Sequence, residues 1–289
     1  MKKLSIIIVT YENGETLRKC LDSIYEFNDL GNDLQVIVID NSPEDKKNRH
    51  YVSEAKQNCL YLENNNRGFG AGNNYGESFA KGEILGFLNP DVFLIEPIFI
   101  KIYQRFINNE KIATLGCKLL YADMKPSRSF TYEYEDSLLK KLKNRRRNKR
   151  DDFHEKDMFT SGCNLFIRKD LFEKAGKFDE NYFMYYEEAD LKNRIRNYDP
   201  NLNFVYCKDL KLIHLGGSES FSDFRFQKLN DSAIYYGKKW NLDYKKKIKY
   251  EYDSHKLKKV FYRFVNREKY DDVSEVLKAY EKYYSELIR

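Results

Sequence analysis

Three short apolar segments, each bounded by turn residues, constrain the fold of this 289-residue chain most strongly. They are Leu4–Val9, Leu34–Ile39 and Ile84–Leu88. Runs of this length are typical of strands buried on both faces, which occur mostly in parallel sheets covered by helices. Apolar residues recur at helical spacing between the first two runs. This alternation predicts an α/β fold with a mostly parallel central sheet and helices on both faces.

The pattern breaks over residues 122–157, which contain the basic run Lys140–Arg150. We interpret this segment as a long mobile loop with a helical piece, because long loops inside compact domains are often lids or binding loops. From about Phe221 the chain becomes helical in pattern, aromatic and rich in lysine. We therefore expect a main domain over residues 1–218 and a C-terminal helical extension over residues 219–289.

Composition narrows the classes of protein to which the chain can belong. The formal net charge of +6 suits an anionic substrate or membrane surface without requiring nucleic acid. Five scattered cysteines favour buried thiols in a reducing compartment over disulfides or a zinc site. No run reaches the roughly 20 apolar residues of a spanning helix, and the first run is too short for a signal peptide. We expect a cytoplasmic protein, with peripheral attachment to the inner membrane face as an open alternative.

Acidic residues follow two of the apolar runs directly. Asp40 ends the second run, and Asp91 follows the third after Asn89 and Pro90. Pro90 cannot donate to a sheet ladder, so the strand should end before it. Ligands of open α/β sheets bind at the carboxyl ends of strands, where a carboxylate can hold a divalent cation against phosphate oxygens. The alternative is an ordinary Asn-Pro-Asp turn with a solvated carboxylate.

A glycine-rich turn carries Arg67 together with alternating Gly68, Gly70 and Gly72. It is not a dinucleotide-binding fingerprint, because it follows the third strand and Asn73 stands where the last glycine should be. A flexible turn that bears an arginine and opens a helix suits an anionic ligand. An ordinary loop between strand and helix is the alternative.

These features occur in a fixed order along the chain. In that order the segments are Ile7–Tyr11, Val38–Ser42, Asn66–Asn73, Leu88–Asp91, Gly176–Glu180 with Phe183–Leu191, and His214 with Gly217 and Ser218. Together they resemble an inverting family 2 glycosyltransferase of the GT-A fold, most similar to the bacterial rhamnosyltransferase-like branch. The resemblance covers about three quarters of the chain and matches the C-terminal part only loosely.

The resemblance implies transfer of a sugar, with inversion, from a UDP-sugar or dTDP-rhamnose to a bacterial surface glycan or lipid-linked oligosaccharide. Mg²⁺ or Mn²⁺ would neutralise the departing diphosphate. The family's Asp-x-Asp metal motif aligns with Asn89-Pro90-Asp91, so Asp91 is the sole carboxylate ligand that it offers. His214 matches a family position that can touch the metal or the diphosphate, and a structural histidine is the alternative.

The resemblance also implies a set of residues that hold the donor. Asp40 would accept the imide N–H of uracil or thymine, and Arg67 would pair with phosphate or base. The full set is Thr10, Tyr11, Glu12, Asp40, Arg67, Asn73 and Asn89.

Three acids, Glu187, Glu188 and Asp190, compete for the role of general base. On a helix Asp190 can pair with Arg194 four residues later, and Glu187 shares their side. Glu188 points about 100° away from Glu187 around the helix, so of the three acids it is the one least engaged by the Asp190–Arg194 pair. The alternative for all three acids is stabilisation of the first helical turn through the macrodipole.

Glu188 stands where the family has its catalytic Asp, so the resemblance favours Glu188 as the base, with Glu187 as the second candidate. We expect Tyr185 and Tyr186 to desolvate Glu188 and raise its pKa. Lys192, four residues later, is a candidate to neutralise it.

Eight of the eleven residues in Lys140–Arg150 are basic. A solvated charged loop and contact with an anionic membrane surface are the two leading interpretations. Nucleic-acid binding is disfavoured because no recognisable binding module accompanies the run, and we expect no nucleic-acid partner.

Two rival functions remain at this stage. Asn89 in the metal motif suggests a catalytically inactive nucleotide- or glycan-binding module. A nucleotidyltransferase on a similar sheet would show a glycine-rich loop with Arg or Lys directly after the first strand, and Thr10–Gly14 contains neither basic residue.

Overall fold

The computed structural model describes residues 2–42, 46–54, 59–216 and 221–289. The strands are β1 Lys2–Thr10, β2 Leu34–Asp40, β3 Cys59–Glu63, β4 Gly82–Leu88, β5 Val92–Leu94, β6 Ile112–Leu120, β7 Phe130–Tyr132, β8 Met158–Thr160, β9 Asn164–Arg168 and β10 Asn203–His214. The helices are α1 Gly14–Glu26, α2 Lys46–Glu54, α3 Phe69–Glu77, α4 Phe99–Asn108, α5 Leu138–Arg150, α6 Lys169–Lys174, α7 Glu187–Tyr198, α8 Asp223–Lys239, α9 Tyr244–Val265, α10 Arg267–Tyr283 and α11 Ser285–Ile288.

An eight-stranded mixed sheet organises the fold, in the order β3-β2-β1-β4-β9-β6-β10-β5. The strands β3, β2, β1 and β4 are parallel to one another, and β10 is parallel to β6. Antiparallel β9 lies between β4 and β6, and antiparallel β5 closes the edge beside β10. The predicted α/β class is confirmed, and its parallel half is the part that the apolar runs predicted.

Side chains alternate between two apolar clusters, one on each face of the sheet. Ile6 and Ile8 of β1 belong to one cluster, and Ile7 belongs to the other. This follows from the two-residue period of a strand. The first cluster includes residues of α1 and α4, and the second includes residues of α6 and α7. Helices therefore cover both faces, as predicted, and hold the strand ends in place.

Two element boundaries are not evident from local sequence signals. Proline is favoured at the first position of a helix, but α4 begins at Phe99, two residues after Pro97. Strand β10 runs from Asn203 to His214 and has a register shift relative to β6 between Cys207 and Lys211.

The segment 122–157, predicted to be a mobile loop with a helical piece, contains the regular elements β7 and α5. Asn148 near the end of α5 is buried, accepts the backbone N–H of Ser129 at 2.8 Å and donates to the carbonyl of Phe130 at 2.9 Å. These bonds fix the end of the helix beside β7. The mobility of the segment stays a prediction.

The chain divides into two compact units. The first comprises Met1–Glu133, Arg147–Phe183 and Glu187–Gly216, and the second comprises Tyr134–Arg146, Met184–Tyr186 and Gly217–Arg289. The second unit therefore contains two segments from earlier in the chain, in addition to the C-terminal helices. The predicted boundary at 218/219 lies outside the described residues and stays a prediction.

The second unit is helical, as the sequence pattern predicts. Its core contains Ile248, Tyr280 and Tyr284. The side chains of Ser222, Asp243 and Asn266 cap α8, α9 and α10 by accepting backbone N–H groups of the first turn. Within the described ranges, no helix combines the length and apolar character needed to cross a bilayer.

Candidate functional site

Most of the predicted site residues lie at the carboxyl ends of neighbouring strands. Thr10 at the end of β1 is in register with Asp40 at the end of β2. Strand β4 pairs with β1 on the other side. Asp91 lies in the turn that follows β4, in which Val92 N–H donates to the carbonyl of Asn89 at 3.1 Å. Parallel pairing thus brings segments separated by fifty residues to one edge of the sheet.

Asp91 and His214 lie beside each other in this structure. Strand β5 pairs with β10 so that Val92 is opposite His214, and Leu215 N–H donates to the carbonyl of Asp91 at 3.1 Å. As a result, Nε2 of His214 lies 3.2 Å from Oδ2 of Asp91. The two side chains are 22% and 25% exposed, so both can be reached from solvent.

Asp91 and His214 could together bind a divalent cation whose remaining ligands come from outside the protein. Carboxylate oxygen and imidazole nitrogen are both metal donors, and Mg²⁺ usually takes only one or two protein carboxylates together with water and substrate phosphates. In the part of the chain that the structure describes, no group of three or more His, Cys, Asp or Glu side chains is arranged for a metal. A cation here would therefore need further oxygen ligands from water or from a bound ligand.

Asp40 is almost fully buried, with an exposed fraction of 1%. Its Oδ1 accepts the backbone N–H of Ser42 at 2.9 Å, and its Oδ2 accepts the Tyr61 hydroxyl at 2.8 Å. Each carboxylate oxygen has two lone pairs, so one remains on each. Asp40 therefore organises the edge of β2 and β3 and keeps limited capacity for the predicted contact with a base.

The segment after β1 is held by short local bonds. Tyr11 N–H donates to the side-chain oxygen of Asn13 at 3.0 Å, and the Tyr11 side chain is 47% exposed. Glu12 has a φ of 53°, in the left-handed region, and its N–H donates to Ser42 Oγ at 2.7 Å. Thr10, Tyr11 and Glu12 thus form a fixed rim beside Asp40, with Tyr11 presented to solvent.

The predicted arginine of the glycine-rich turn is largely exposed and paired. Arg67 Nη2 lies 2.8 Å from the carboxylate of Glu180, and the arginine side chain is 70% exposed. Gly68 has a φ of 104°, and an added Cβ would lie 2.1 Å from the backbone oxygen of Phe183. Only glycine tolerates both conditions, so this turn and the segment before α7 are fixed to one another.

Asn73, also predicted to bind the donor, lies in the interior. Its exposed fraction is 1%, and its side-chain amide donates to the carbonyl of Phe69 in its own helix at 3.0 Å. This position favours a structural role in α3. Asn89 is partly buried, and its backbone N–H donates to the carbonyl of Cys163 at 3.1 Å.

The three acids of α7 have different surroundings. Asp190 is fully buried, and its Oδ2 accepts Nε of Arg194 at 2.7 Å, as the helical spacing predicts. Glu187 is 3% exposed. Glu188 is only partly buried, which leaves it the most accessible acid of the three.

Glu188 lies directly against the turn between β8 and β9. A Cβ placed on Gly162 would lie 1.8 Å from Oε1 of Glu188, so the carboxylate occupies the space above this glycine. Burial raises the pKa of Glu188, while the backbone amides of Glu188 and Gly162 oppose the shift by donating to the carboxylate. The predicted direction of the pKa shift is therefore present, since desolvation prevails.

Cys163 follows Gly162 in the chain, and its buried thiol is affected by the charges of both Glu188 and Asp91. Burial raises the pKa of its thiol to about 12, the Ser161 hydroxyl acts in the opposite direction, and the charges of Asp91 and Glu188 raise it further. Both acids therefore lie within electrostatic reach of one buried side chain.

Lys192 does not neutralise Glu188 in the way that the helical spacing suggested. Its Nζ lies 2.7 Å from the Glu133 carboxylate and donates to the carbonyl of Glu155 at 2.5 Å and to that of Met158. Burial lowers the pKa of Lys192 to about 8, and Glu133 acts against that shift. Glu188 and Lys192 both line a cavity of about 10 Å³, near the smallest that admits one water molecule.

Tyr186, predicted to desolvate Glu188, packs against other tyrosines, and its effect on Glu188 stays a prediction. Its ring lies 5.1 Å from that of Tyr236 and 6.3 Å from that of Tyr134, within the second compact unit. Tyr185 and Tyr186 have φ angles of 71° and 72°, two consecutive left-handed residues directly before Glu187. Non-glycine residues in this region are strained, and such strain is concentrated at functional sites.

Sequence patterns did not reveal the role of the Ser161–Cys163 turn or of Glu180. The only signal for the turn was Ser161 and Gly162 interrupting an apolar strand pattern. Nothing in the local sequence connects Gly162 with Glu188, twenty-six residues away.

The sequence from residue 5 to residue 176 matches the family described as Glycosyl transferase family 2. The chain belongs to this family. The match covers more than half of the chain and includes Asp40, Arg67 and Asp91, but it ends before Glu188 and His214. The family match therefore does not extend to the candidate base or to His214.

One relative of this family 2 chain is the low-salt glycan biosynthesis hexosyltransferase Agl10 of Haloferax volcanii. It is 25% identical over 233 residues, which are 73% of this chain and 66% of that protein. The alignment thus spans slightly less than two thirds of the relative's length.

Two solved structures share the fold of this family 2 chain. The mannosyltransferase PcManGT of Pyrobaculum calidifontis, solved with GDP-Man and Mn²⁺, has a TM-score of 0.57 and 12% identity, over 97% of this chain and 75% of that one. TarS of S. aureus, solved with UDP, has a TM-score of 0.53 and 16% identity, over 80% of this chain and 64% of that one. The GT-A fold is thereby confirmed for this chain.

Proposed function

We propose that this protein transfers a sugar from a UDP- or dTDP-sugar to a glycan hydroxyl, with inversion, and that Glu188 is the general base. One observation carries the proposal. The Glu188 carboxylate lies against Gly162, and the carbonyl of the next residue, Cys163, accepts the backbone N–H of Asn89 at 3.1 Å, two residues before Asp91. The turn between β8 and β9 therefore contacts both the candidate base and the strand-end turn that bears the candidate cation ligand.

The chemistry requires one proton acceptor and one leaving group. The acceptor hydroxyl oxygen forms a bond to the anomeric carbon while the bond from that carbon to the diphosphate oxygen breaks. The electron pair leaves with the nucleoside diphosphate, and the hydroxyl proton passes to the Glu188 carboxylate. Attack opposite the leaving group inverts the anomeric carbon, and a base of raised pKa is better matched to this proton near neutral pH.

Asp91 and His214 would hold Mg²⁺ or Mn²⁺ in this protein. When bound, the cation supplies positive charge against the departing diphosphate. The fit rests on the 3.2 Å approach of a carboxylate and an imidazole at a solvent-accessible strand end. Asn89 offers no carboxylate, so the protein contributes fewer negative charges than a full Asp-x-Asp motif.

The donor's nucleoside would lie along the rim formed by Thr10, Tyr11 and Glu12, next to Asp40. A lone pair on Asp40 would accept the imide N–H that uracil and thymine share, and Arg67 would face the phosphates. TarS, a structural neighbour, binds UDP, and PcManGT binds GDP-Man. Asp40 offers an acceptor and no donor, which also suits guanine N1–H, so our preference for UDP or dTDP rests on the sequence resemblance.

The acceptor would be a growing surface glycan or a lipid-linked oligosaccharide on the cytoplasmic face of the membrane. The hexosyltransferase of Haloferax volcanii that this chain resembles is named for glycan biosynthesis. Both hexosyl and rhamnosyl donors fit the proposal, with dTDP-rhamnose as the rhamnosyl case.

The proposal is tested by release of nucleoside diphosphate from a panel of UDP-, dTDP- and GDP-sugars with Mn²⁺. We expect release from at least one UDP- or dTDP-sugar, and loss of that release in the Glu188→Gln variant. Nucleotide binding without release from any donor, in the presence of a mixed glycan acceptor, would instead support an inactive binding module.

A further inference from the structure

The second half of α9 presents a row of large apolar side chains to solvent. Each of them is more than 60% exposed, and Phe264 is 81% exposed. The residues are Leu257, Val260, Phe261, Phe264 and Val265. We call this row the α9 stripe.

Helical spacing places the α9 stripe on one face. Successive members are three, one, three and one residues apart, so at 100° per residue they fall within about 140° of arc. This is the geometry of an amphipathic helix whose apolar side faces outward. The opposite side of α9 serves the core of the second compact unit through Ile248 and Tyr252.

Basic residues border the α9 stripe on both sides. Helix α9 has no acidic residue after Asp253, and four basic residues follow it. Lys256 and Arg263 lie about 100° and 120° from Leu257 on one flank, and Lys258 lies about 100° away on the other. Long basic side chains in these positions can reach past an apolar surface to phosphate groups.

Part of the basic run on α5 lies close to α9 in the same compact unit. Nζ of Lys141 is 3.9 Å from the carboxylate of Glu251. The pKa of Lys258 is lowered chiefly by burial, next by the charge of Lys141, and also by that of Arg145. The exposed apolar residues of α5 are Leu138, Leu139 and Leu142. Positive charge and exposed apolar area therefore occur together on both helices.

We propose that the α9 stripe docks this protein on an anionic phospholipid bilayer. The five apolar side chains would enter the interface, while Lys256, Lys258 and Arg263 would meet lipid phosphates. An amphipathic helix with a basic border binds membranes through buried apolar area together with attraction to anionic lipids. Each basic residue near such a surface adds to this attraction.

A second copy of the chain fits the α9 stripe less well. A symmetric dimer through this face would bring two sets of the same basic residues together. Like charges at an interface oppose association, and no acidic residue of α9 lies beyond Asp253 to offset them. An anionic bilayer can bury the apolar side chains of the α9 stripe and also pair its phosphates with the basic residues that border it.

Sedimentation of the full chain with vesicles tests the proposal. Phosphatidylcholine vesicles are compared with vesicles that also contain phosphatidylglycerol, at low and physiological salt. We expect binding only with phosphatidylglycerol. The double variant Phe261→Ser/Phe264→Ser should lower the partition coefficient by about 10-fold or more, because both apolar insertions are lost.

Charge is tested separately from apolar area. The variant Lys256→Glu/Arg263→Glu should also weaken binding by about 10-fold or more and reduce its salt dependence. The matched controls are Phe224→Ser on α8 and Lys245→Glu at the start of α9, and both should bind nearly as the parent does. Circular dichroism confirms that each variant remains folded.

Three outcomes would overturn the proposal: no vesicle binding by the parent, equal loss in the control variants, or a dimer that becomes a monomer when Phe261 and Phe264 are replaced. Donor hydrolysis by the same variants is measured without vesicles and should be unchanged. Failure of docking can therefore be distinguished from failure of the proposed sugar transfer.

Discussion

At Glu188, two opposing influences act on one carboxylate. Burial disfavours its charged form, and two backbone amides favour that form. Because burial prevails, the pKa lies above the ordinary value of 4.5. Neighbouring Asp190 is fully buried, and its Oδ2 lies 2.7 Å from Nε of Arg194. Two acids only two residues apart on α7 thus differ in their surroundings: Asp190 is held in an ion pair, and Glu188 is placed to exchange a proton.

The rate of transfer should depend on the ionisation of Glu188. As general base it is active only when deprotonated, so kcat/KM should rise as pH rises through its raised pKa. We predict that Glu188→Gln lowers the rate by about 10²-fold or more and removes this limb of the profile, while donor affinity is kept. Glu187→Gln is the matched control and should cost less.

The same pKa shift predicts a change in stability with a definite sign. Between pH 4.5 and its raised pKa, Glu188 binds a proton in the folded protein and not in the unfolded chain. The free energy of unfolding should therefore fall as pH rises through this window. Glu188→Gln should lack that fall. A variant with an unchanged stability profile and near-parental turnover, beside an inactive Glu187→Gln, would move the role of base to Glu187.

Replacing Asp91 tests the cation ligand. Asp91→Asn removes the carboxylate charge next to His214 but keeps a side chain of similar size. We predict a loss of transfer of about 10²-fold or more and weaker Mn²⁺-dependent binding of UDP or dTDP, measured by calorimetry. Asp123→Asn, on an exposed turn, is the matched control. Turnover that is the same with and without a chelator would contradict the assignment.

At the scale of elements, the turn between β8 and β9 sets the position of Glu188 on α7. Gly162 has no side chain, and the carboxylate fills that space, with Cδ 2.5 Å from where a Cβ would lie. The atoms in conflict belong to the flexible end of a side chain, so an alanine can be accommodated if Glu188 moves. The variant Gly162→Ala therefore changes the position of the Glu188 carboxylate without removing the carboxylate itself.

Gly162→Ala should impair catalysis more than folding. We predict a rate at least about 10-fold lower, because displacement of a positioned group by about 1 Å is costly, with a melting temperature within a few degrees of the parent. The double variant Gly162→Ala/Glu188→Gln should be hardly slower than Glu188→Gln, since both changes act on one group. Full activity of Gly162→Ala, or additive losses in the double variant, would show that Gly162 does not position the base.

Helix α7 also shows how far local sequence can be used. The pairing of Asp190 with Arg194 follows from a spacing of four residues, and the structure contains it. The same rule suggested that Lys192 neutralises Glu188, but Lys192 binds Glu133, fifty-nine residues earlier. Helical periodicity specifies neighbours on one helix and cannot specify which distant segment supplies a stronger partner.

For the whole molecule, the apolar runs predicted the parallel half of the sheet because buried parallel strands have a distinctive composition. They did not predict antiparallel β9 between β4 and β6, since strand order depends on contacts remote in sequence. The approach of His214 to Asp91 needed the β5–β10 pairing for the same reason. The family 2 match covers residues 5–176. Glu188 and His214 lie beyond it, and the fold brings them to the same region as the matched residues.

Proton NMR of the transfer reaction tests the central claim most directly, with a UDP- or dTDP-sugar selected by the donor panel and its acceptor. The coupling constant of the new anomeric proton reports the configuration of the product, and the nucleoside diphosphate signals report its release. The account predicts one product, inverted relative to the donor, formed by the parent protein and at least about 10²-fold more slowly by Glu188→Gln. A product that retains the donor's configuration, or equal rates for the two proteins, would contradict it.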